Sequence, residues 1–172
     1  MNDSISCWLK GHAPDVNLRV NDPVMFIGAA TKITGLSESA LRKYEATGLI
    51  IFHRTAANRR MLSLEDIERI RMIRNLIKRR GLNLEGILRL WALLPCWELK
   101  QCAADERRDC PAIVDSQRPC WVLLKNQGCT IEERCRECEV YRFSAYCTED
   151  LKSLVRNLYS SESSKAVEGE SD

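Results

Sequence analysis

Eight of the nine cysteines in this 172-residue chain fall between positions 96 and 147, and that stretch limits what the chain can build. They stand at Cys96, Cys102, Cys110, Cys120, Cys129, Cys135, Cys138 and Cys147, among several prolines and scattered charges with few aliphatic residues. A segment of roughly 50 residues with that composition cannot stabilise itself through a core alone, and metals or cross-links are the usual remedy. An internal echo points the same way: "PCWELKQC" at 95–102 returns as "PCWVLLKNQGC" at 119–129, as if two related half-sites converge. The longest apolar runs, such as "VMFIGAA" and "WALLPCW", are far shorter than the roughly 20 residues of a membrane span, and "MNDSISCWLK" lacks a basic start followed by an apolar stretch. The expectation is a cytoplasmic protein with no membrane partner. Thiols stay reduced there, so metal ligation or redox sensing is a better use for them than disulfides.

The net charge of +2 conceals an asymmetry. Residues 1–95 hold 15 Lys and Arg against 9 Asp and Glu, whereas residues 96–172 hold 11 against 15, giving +6 and −4. A basic front half suits a polyanion. Residues 1–22 show no periodicity and read as a flexible N-terminal arm. From Val24 the pattern tightens, and "FIGAATKITGLSESALRKYEATGLI" predicts two short helices, about 27–33 and 38–46, with "TGLS" between them. Gly35 permits the turn, Leu36 can enter the core and Ser37 can cap the second helix, which is helix-turn-helix spacing. On that second helix Ala40, Leu41 and Tyr44 recur at helical intervals while Glu38, Arg42 and Lys43 project elsewhere, leaving cations for phosphates or base edges. Next, "LIIFHRTAANRRML" predicts a hairpin wing around Ala56, Ala57 and Asn58, with Arg54, Arg59 and Arg60 on or beside its tip. Ser63 and Asp66 form a capping pair for a helix with Leu64, Ile67, Ile70, Ile73 and Ile77 as its buried stripe. Arg69, Arg71, Arg74, Lys78, Arg79 and Arg80 read as its charged face, either solvated or facing phosphates. That helix ends at Gly81, and a further one runs from Asn83 to just before Pro95.

These elements in this order, "IGAATKITGLSESALRKYEATGLI" followed by "NRRMLSLEDIERIRMIRNLIKRRGLNLEGI", resemble the MerR family of winged-helix transcription regulators over about 24–94. "NRRMLS" and "GLNLEGI" are most similar to its heat-shock-repressor-like branch. The resemblance implies a homodimer on near-palindromic double-stranded DNA, the second helix in a major groove, the wings on flanking phosphates, and RNA polymerase as a partner. Carried over by position, Arg42 and Tyr44 match the recognition-helix pattern, Arg60 the wing arginine and Arg54 the basic residue before the wing tip. The candidate DNA-binding set is Ser37, Ser39, Arg42, Lys43, Tyr44, Arg54, Arg59 and Arg60. Family members usually join their protomers through a long antiparallel helix after the wing, where this chain has Pro95 and the cysteines.

The cysteine region contains no histidine, so any ligation there is all thiolate, which suits tetrahedral zinc or an iron-sulfur cluster and excludes oxygen-loving ions. Only Cys135 and Cys138 have the Cys-x-x-Cys spacing of a zinc knuckle. The irregular spacing elsewhere and the surplus beyond four thiols favour the cluster, with structural zinc and a metal-free thiol switch as alternatives. Arg134 and Arg136 beside Cys135 are expected to aid its ionisation, and Trp97 and Trp121 to pack as lids. "CWELKQC", "CP" at Cys110, "CW" at Cys120 and "CRECEVY" resemble a two-CW cysteine-rich module attached to bacterial regulatory proteins. Its seven cysteines here, the candidate metal ligands, are Cys96, Cys102, Cys110, Cys120, Cys129, Cys135 and Cys138. Beyond it, Leu151, Leu154, Val155 and Leu158 share one helical face after Thr148, and the tail "SSESSKAVEGESD" is expected to be disordered.

The expected fold class is therefore mainly α. A winged helix-turn-helix domain at 23–94 follows the arm, then a small irregular metal-stabilised cysteine module at 95–147, a C-terminal amphipathic helix at 148–160 and a tail at 161–172. The expected function is a sequence-specific DNA-binding transcription regulator whose cysteine module senses redox state or metal. The alternatives are a regulator with purely structural zinc, or an iron-sulfur redox protein docking an acidic partner. No acid-base constellation, phosphate-binding glycine loop or nucleophile beside a histidine is present, so the chain does not read as an enzyme.

Overall fold

The computed structural model describes residues 18–100, 103–108, 110, 111–114, 117–126 and 132–146. The N-terminal arm before residue 18, Cys7, Cys102, Cys129, Cys147, the 148–160 helix and the tail lie outside the described residues. The fold is mainly α. Its first element is strand β1 (Met25–Phe26), followed by α1 (Ile27–Thr34) and α2 (Glu38–Ala46). Gly35 ends α1 in the left-handed region, at φ 67°, which lets the chain reverse within three residues. The Ser37 hydroxyl then accepts from the Ala40 amide and starts α2 as its cap. Strands β2 (His53–Arg54) and β3 (Arg60–Leu62) form the wing, its tip turned by Asn58 at φ 56°, a conformation asparagine tolerates better than most residues. The sheet order is β1-β3-β2, with Met25 opposite Leu62 and His53 opposite Met61. The β1 pairing was not anticipated from the sequence; two residues carry no periodicity to reveal it.

Helix α3 (Leu64–Arg80) opens on the expected capping box between Ser63 and Asp66 and closes at Gly81, and α4 (Leu84–Ala92) is capped by the Asn83 side chain. On α3, Ile67, Ile70, Ile73 and Leu76 are buried, with Leu64 and Ile77 partly so. Two polar residues share that face. Asp66 and Arg69 are only 4% and 3% exposed, so Arg69 is not part of a solvated charged face as its composition implies.

Six short helices follow among the described residues: α5 (Cys96–Leu99), α6 (Ala104–Arg108), α7 (Pro111–Val114), α8 (Cys120–Asn126), α9 (Glu132–Glu137) and α10 (Glu139–Ser144). Each is too short to persist alone. Three of them are tied to the winged unit, since Trp121 of α8, Cys135 of α9 and Val140 and Tyr141 of α10 join the same hydrophobic cluster as Leu41, Leu49, Ile50, Ile70 and Trp91. The expected deficit of core in the cysteine region is therefore met partly by sharing the core of the winged unit. Of the two tryptophans expected as lids, Trp121 is buried in the core, tilted at 54° against Trp91 at 6.1 Å and edge-on to Tyr141 at 5.3 Å, whereas Trp97 is only half-buried.

Candidate DNA-binding surface and thiol cluster

Helix α2 and the wing meet through one carboxylate. Glu45 on α2 accepts from Arg54 at 2.5 Å and from Arg60 at 2.6 Å, so both wing arginines are held beside the helix. Arg54 also reaches the Asn58 carbonyl and side chain at 3.4 Å, and the Arg59 guanidinium lies 4.1 Å over the Phe26 ring. Arg42 and Lys43 are exposed on α2, Arg42 paired only with Glu38 at 3.1 Å. Exposed pairs of this kind are worth roughly 0.2–1 kcal/mol, so a phosphate can displace Glu38 cheaply. Ser37 and Ser39 are exposed and share a 2.9 Å hydrogen bond, though the Ser37 hydroxyl is also engaged as the helix cap. Tyr44 is the correction. Its side chain is 7% exposed and belongs to the core with Leu41, because residues three apart on a helix share a face, and burial raises its hydroxyl above the ordinary phenol value.

Of the seven candidate metal ligands, five are described, and none of the five is in a disulfide. The structure brings two of them together, with two more in their neighbourhood. Cys96 and Cys120, the first cysteines of the two echoing segments, share a sulfur hydrogen bond, and Cys138 and Cys135 lie near enough to act on Cys120 through charge. The bond from Cys120 holds Cys96 down at about 7, while the same bond, burial and the neighbouring thiols push Cys120 well above the ordinary thiol value. Cys110 stands half-buried just before α7. Among the described residues no three His, Cys, Asp or Glu side chains form a ready metal-holding group. The four thiols are thus a hydrogen-bonded pair with two thiols nearby, an all-sulfur donor set whose softness fits zinc or iron and sulfide. Arg136, the residue after Cys135, is bonded across to the winged unit. Its guanidinium turns to the Asp66 carboxylate at 3.1 Å and to the Ile51 carbonyl; Arg134's side chain lies outside the description.

Residues 25–93 match the family described as MerR HTH family regulatory protein. Residues 25–93 form a MerR-family helix-turn-helix domain. Over 73 residues the chain is 38% identical to a Streptomyces coelicolor protein bearing the name heat shock protein HspR, covering 42% of this chain and 48% of that one. Over 69 residues it is 36% identical to the HTH-type transcriptional regulators GlnR of Bacillus anthracis and Bacillus cereus, covering 40% of this chain and 53% of each. The chain thus spans about half the length of the curated relatives it matches.

The cysteine region is docked on the MerR domain chiefly around Arg69, a residue that sequence reasoning placed on a charged face. The Arg69 guanidinium donates to the Leu49 carbonyl (2.7 Å), the Tyr141 carbonyl (2.7 Å) and the Ser144 hydroxyl (2.9 Å). It also lies 4.4 Å from the centre of the Trp91 ring, 5.6 Å from Trp121 and 3.8 Å from Tyr141. Three donors in a rigid planar fork, each with an acceptor, and three aromatic faces make this a site for arginine and not for lysine. Burial pulls its pKa below the ordinary guanidinium value, with Tyr141, Asp66, Glu65 and Tyr146 acting in the other direction. Around it, Arg136 pairs with Asp66 and Arg142 with Glu65 at 2.8 Å, each joining the cysteine region to the start of α3. Among the described residues no helix is long and apolar enough to cross a membrane.

Proposed function

We propose that the chain is a sequence-specific DNA-binding transcription regulator of the MerR type whose cysteine-rich module senses redox state or metal. The observation that carries the DNA part is that Glu45 on α2, the helix that exposes Ser37, Ser39, Arg42 and Lys43, holds the wing arginines Arg54 and Arg60 beside it, with Arg59 exposed on the same wing. A helix with exposed cations beside a basic wing offers one element to a major groove and another to the flanking phosphates. In this reading a homodimer binds a near-palindromic operator and acts on RNA polymerase. Arg42→Ala is expected to weaken operator binding by about 1–3 kcal/mol, because it removes a charged donor from the reading face and breaks only a weak exposed pair. A gel-shift titration checks it, and full-strength binding by Arg42→Ala with an unchanged helical spectrum would remove α2 as the reading element.

For the module, Cys96, Cys120, Cys135 and Cys138 would hold the metal, with Cys102, Cys110 and Cys129 as the remaining ligands of the set. An iron-sulfur cluster bound there supplies one-electron chemistry, whereas zinc supplies a fixed clamp. The protein's own residues would provide the thiolates. Cys120→Ser is expected to abolish bound metal, measured as iron, zinc and acid-labile sulfide with a visible spectrum on protein purified without oxygen. Unchanged metal content would take Cys120 out of the ligand set. The tight docking around Arg69 favours structural zinc as a second reading, and a colourless protein holding zinc would establish it.

A further inference from the structure

The four-residue turn from Gly48 to Ile51 leads from helix α2 toward strand β2, and it therefore sets how the recognition helix stands relative to the wing. Its backbone groups do not look to the wing for partners. Trp121 Nε1 donates to the Gly48 carbonyl at 2.8 Å, Arg69 Nε to the Leu49 carbonyl at 2.7 Å, and Arg136 to the Ile51 carbonyl, while the Ile51 amide donates to the Tyr141 hydroxyl at 2.9 Å. Three of these four side chains belong to the cysteine region. The centre of the turn is shut from solvent, with Leu49 and Ile50 at 0% and 1% exposure, and Gly48 and Ile51 at its ends are partly buried. Buried backbone groups must be paired, so the course of this turn depends on those side chains staying where they are.

We propose that Trp121, Arg136 and Tyr141 are positioning residues for DNA recognition: by holding the 48–51 turn they set the angle between the recognition helix and the wing. The cysteine region is then a required part of the DNA-binding unit. Trp121 follows Cys120, Arg136 follows Cys135, and Tyr141 stands three residues after Cys138, so a rearrangement of the clustered thiols has a short path to the turn. This inference rests on the reading of the chain as a DNA-binding regulator.

The test uses the full chain and a duplex that it selects from a random-sequence pool, with an unrelated duplex as the second probe. Tyr141→Phe removes one hydroxyl and keeps the ring against Arg69; Trp121→Phe removes the indole donor. Each is expected to bind the selected duplex about 5- to 10-fold more weakly, the scale of one lost hydrogen bond, while binding to the unrelated duplex changes less than about twofold. Simple destabilisation lowers both affinities in parallel, since it reduces the folded fraction alike for both probes, so the ratio isolates positioning. If both variants hold the selected duplex as tightly as the unaltered chain while Arg42→Ala releases it, the inference is overturned and the regulator reading stands. Failure of the chain to select any duplex overturns the regulator reading and this inference with it, whereas failure of Arg42→Ala to weaken binding removes α2 as the reading element and overturns this inference.

Discussion

Replacing Arg69 with Met is expected to cost the folded chain about 3–5 kcal/mol, the scale found when one partner of a buried charged network is removed. Opposing effects meet at this residue. Removing a buried guanidinium also removes its desolvation penalty, and Met is apolar and flexible enough to fill part of the space and touch the rings. What tips the balance is the groups left behind. The Tyr141 carbonyl still accepts from the Ser144 hydroxyl at 2.6 Å, but no other described hydrogen bond reaches the Leu49 carbonyl, which is left buried and unpaired. The contacts with Trp91, Trp121 and Tyr141 are lost together. Arg69→Lys should recover little, because a single ammonium cannot address acceptors spread across a planar fork. Urea denaturation checks this, and a loss below about 1 kcal/mol would mean that burial of the charge costs nearly as much as its contacts return. A second, earlier transition in Arg69→Met would show the cysteine region leaving the MerR domain before that domain unfolds.

Much of the MerR domain was legible because its signals are local. Ser37, the Ser63–Asp66 box and Asn83 cap helices whose apolar residues lie at helical spacing, and Asn58 turns the wing where two β-prone runs meet. Arg69 was misread because it sits among five other cations and was judged by its company. Its phase marked it: on a helix it shares a face with Asp66, Ile70 and Ile73, all buried. Tyr44 lies three residues from Leu41 and follows the same rule. Arg136 shows the opposite limit. Adjacency to Cys135 says nothing about where its side chain points, and its partner Asp66 lies 70 residues earlier. The docking of the cysteine region was illegible for the same reason, since Trp121 reaches Gly48 across 73 residues and Tyr141 reaches Ile51 across 90. Short helices without periodicity carry no sign of the core they join.

Gly48→Ala is expected to cost the folded chain about 2–5 kcal/mol. Two costs add. At φ +83° the residue lies in the left-handed region, where a Cβ atom brings about 1–2 kcal/mol of strain. That Cβ would also stand 2.6 Å from Val122 Cγ2, closer than van der Waals contact permits. Val122 cannot simply withdraw, because it follows Trp121 on α8, whose indole nitrogen is bonded to the Gly48 carbonyl itself. The clash must therefore either break that bond or shift the whole helix. Removing the obstacle separates the costs: in Gly48→Ala with Val122→Ala the overpacking part, about 1–3 kcal/mol, should return while the backbone strain remains. Denaturation of the two single variants and the double variant measures that coupling. Strictly additive losses would mean that α8 does not press on the turn after the recognition helix, and a change at Cys120 would then lack its most direct route to the DNA-binding surface.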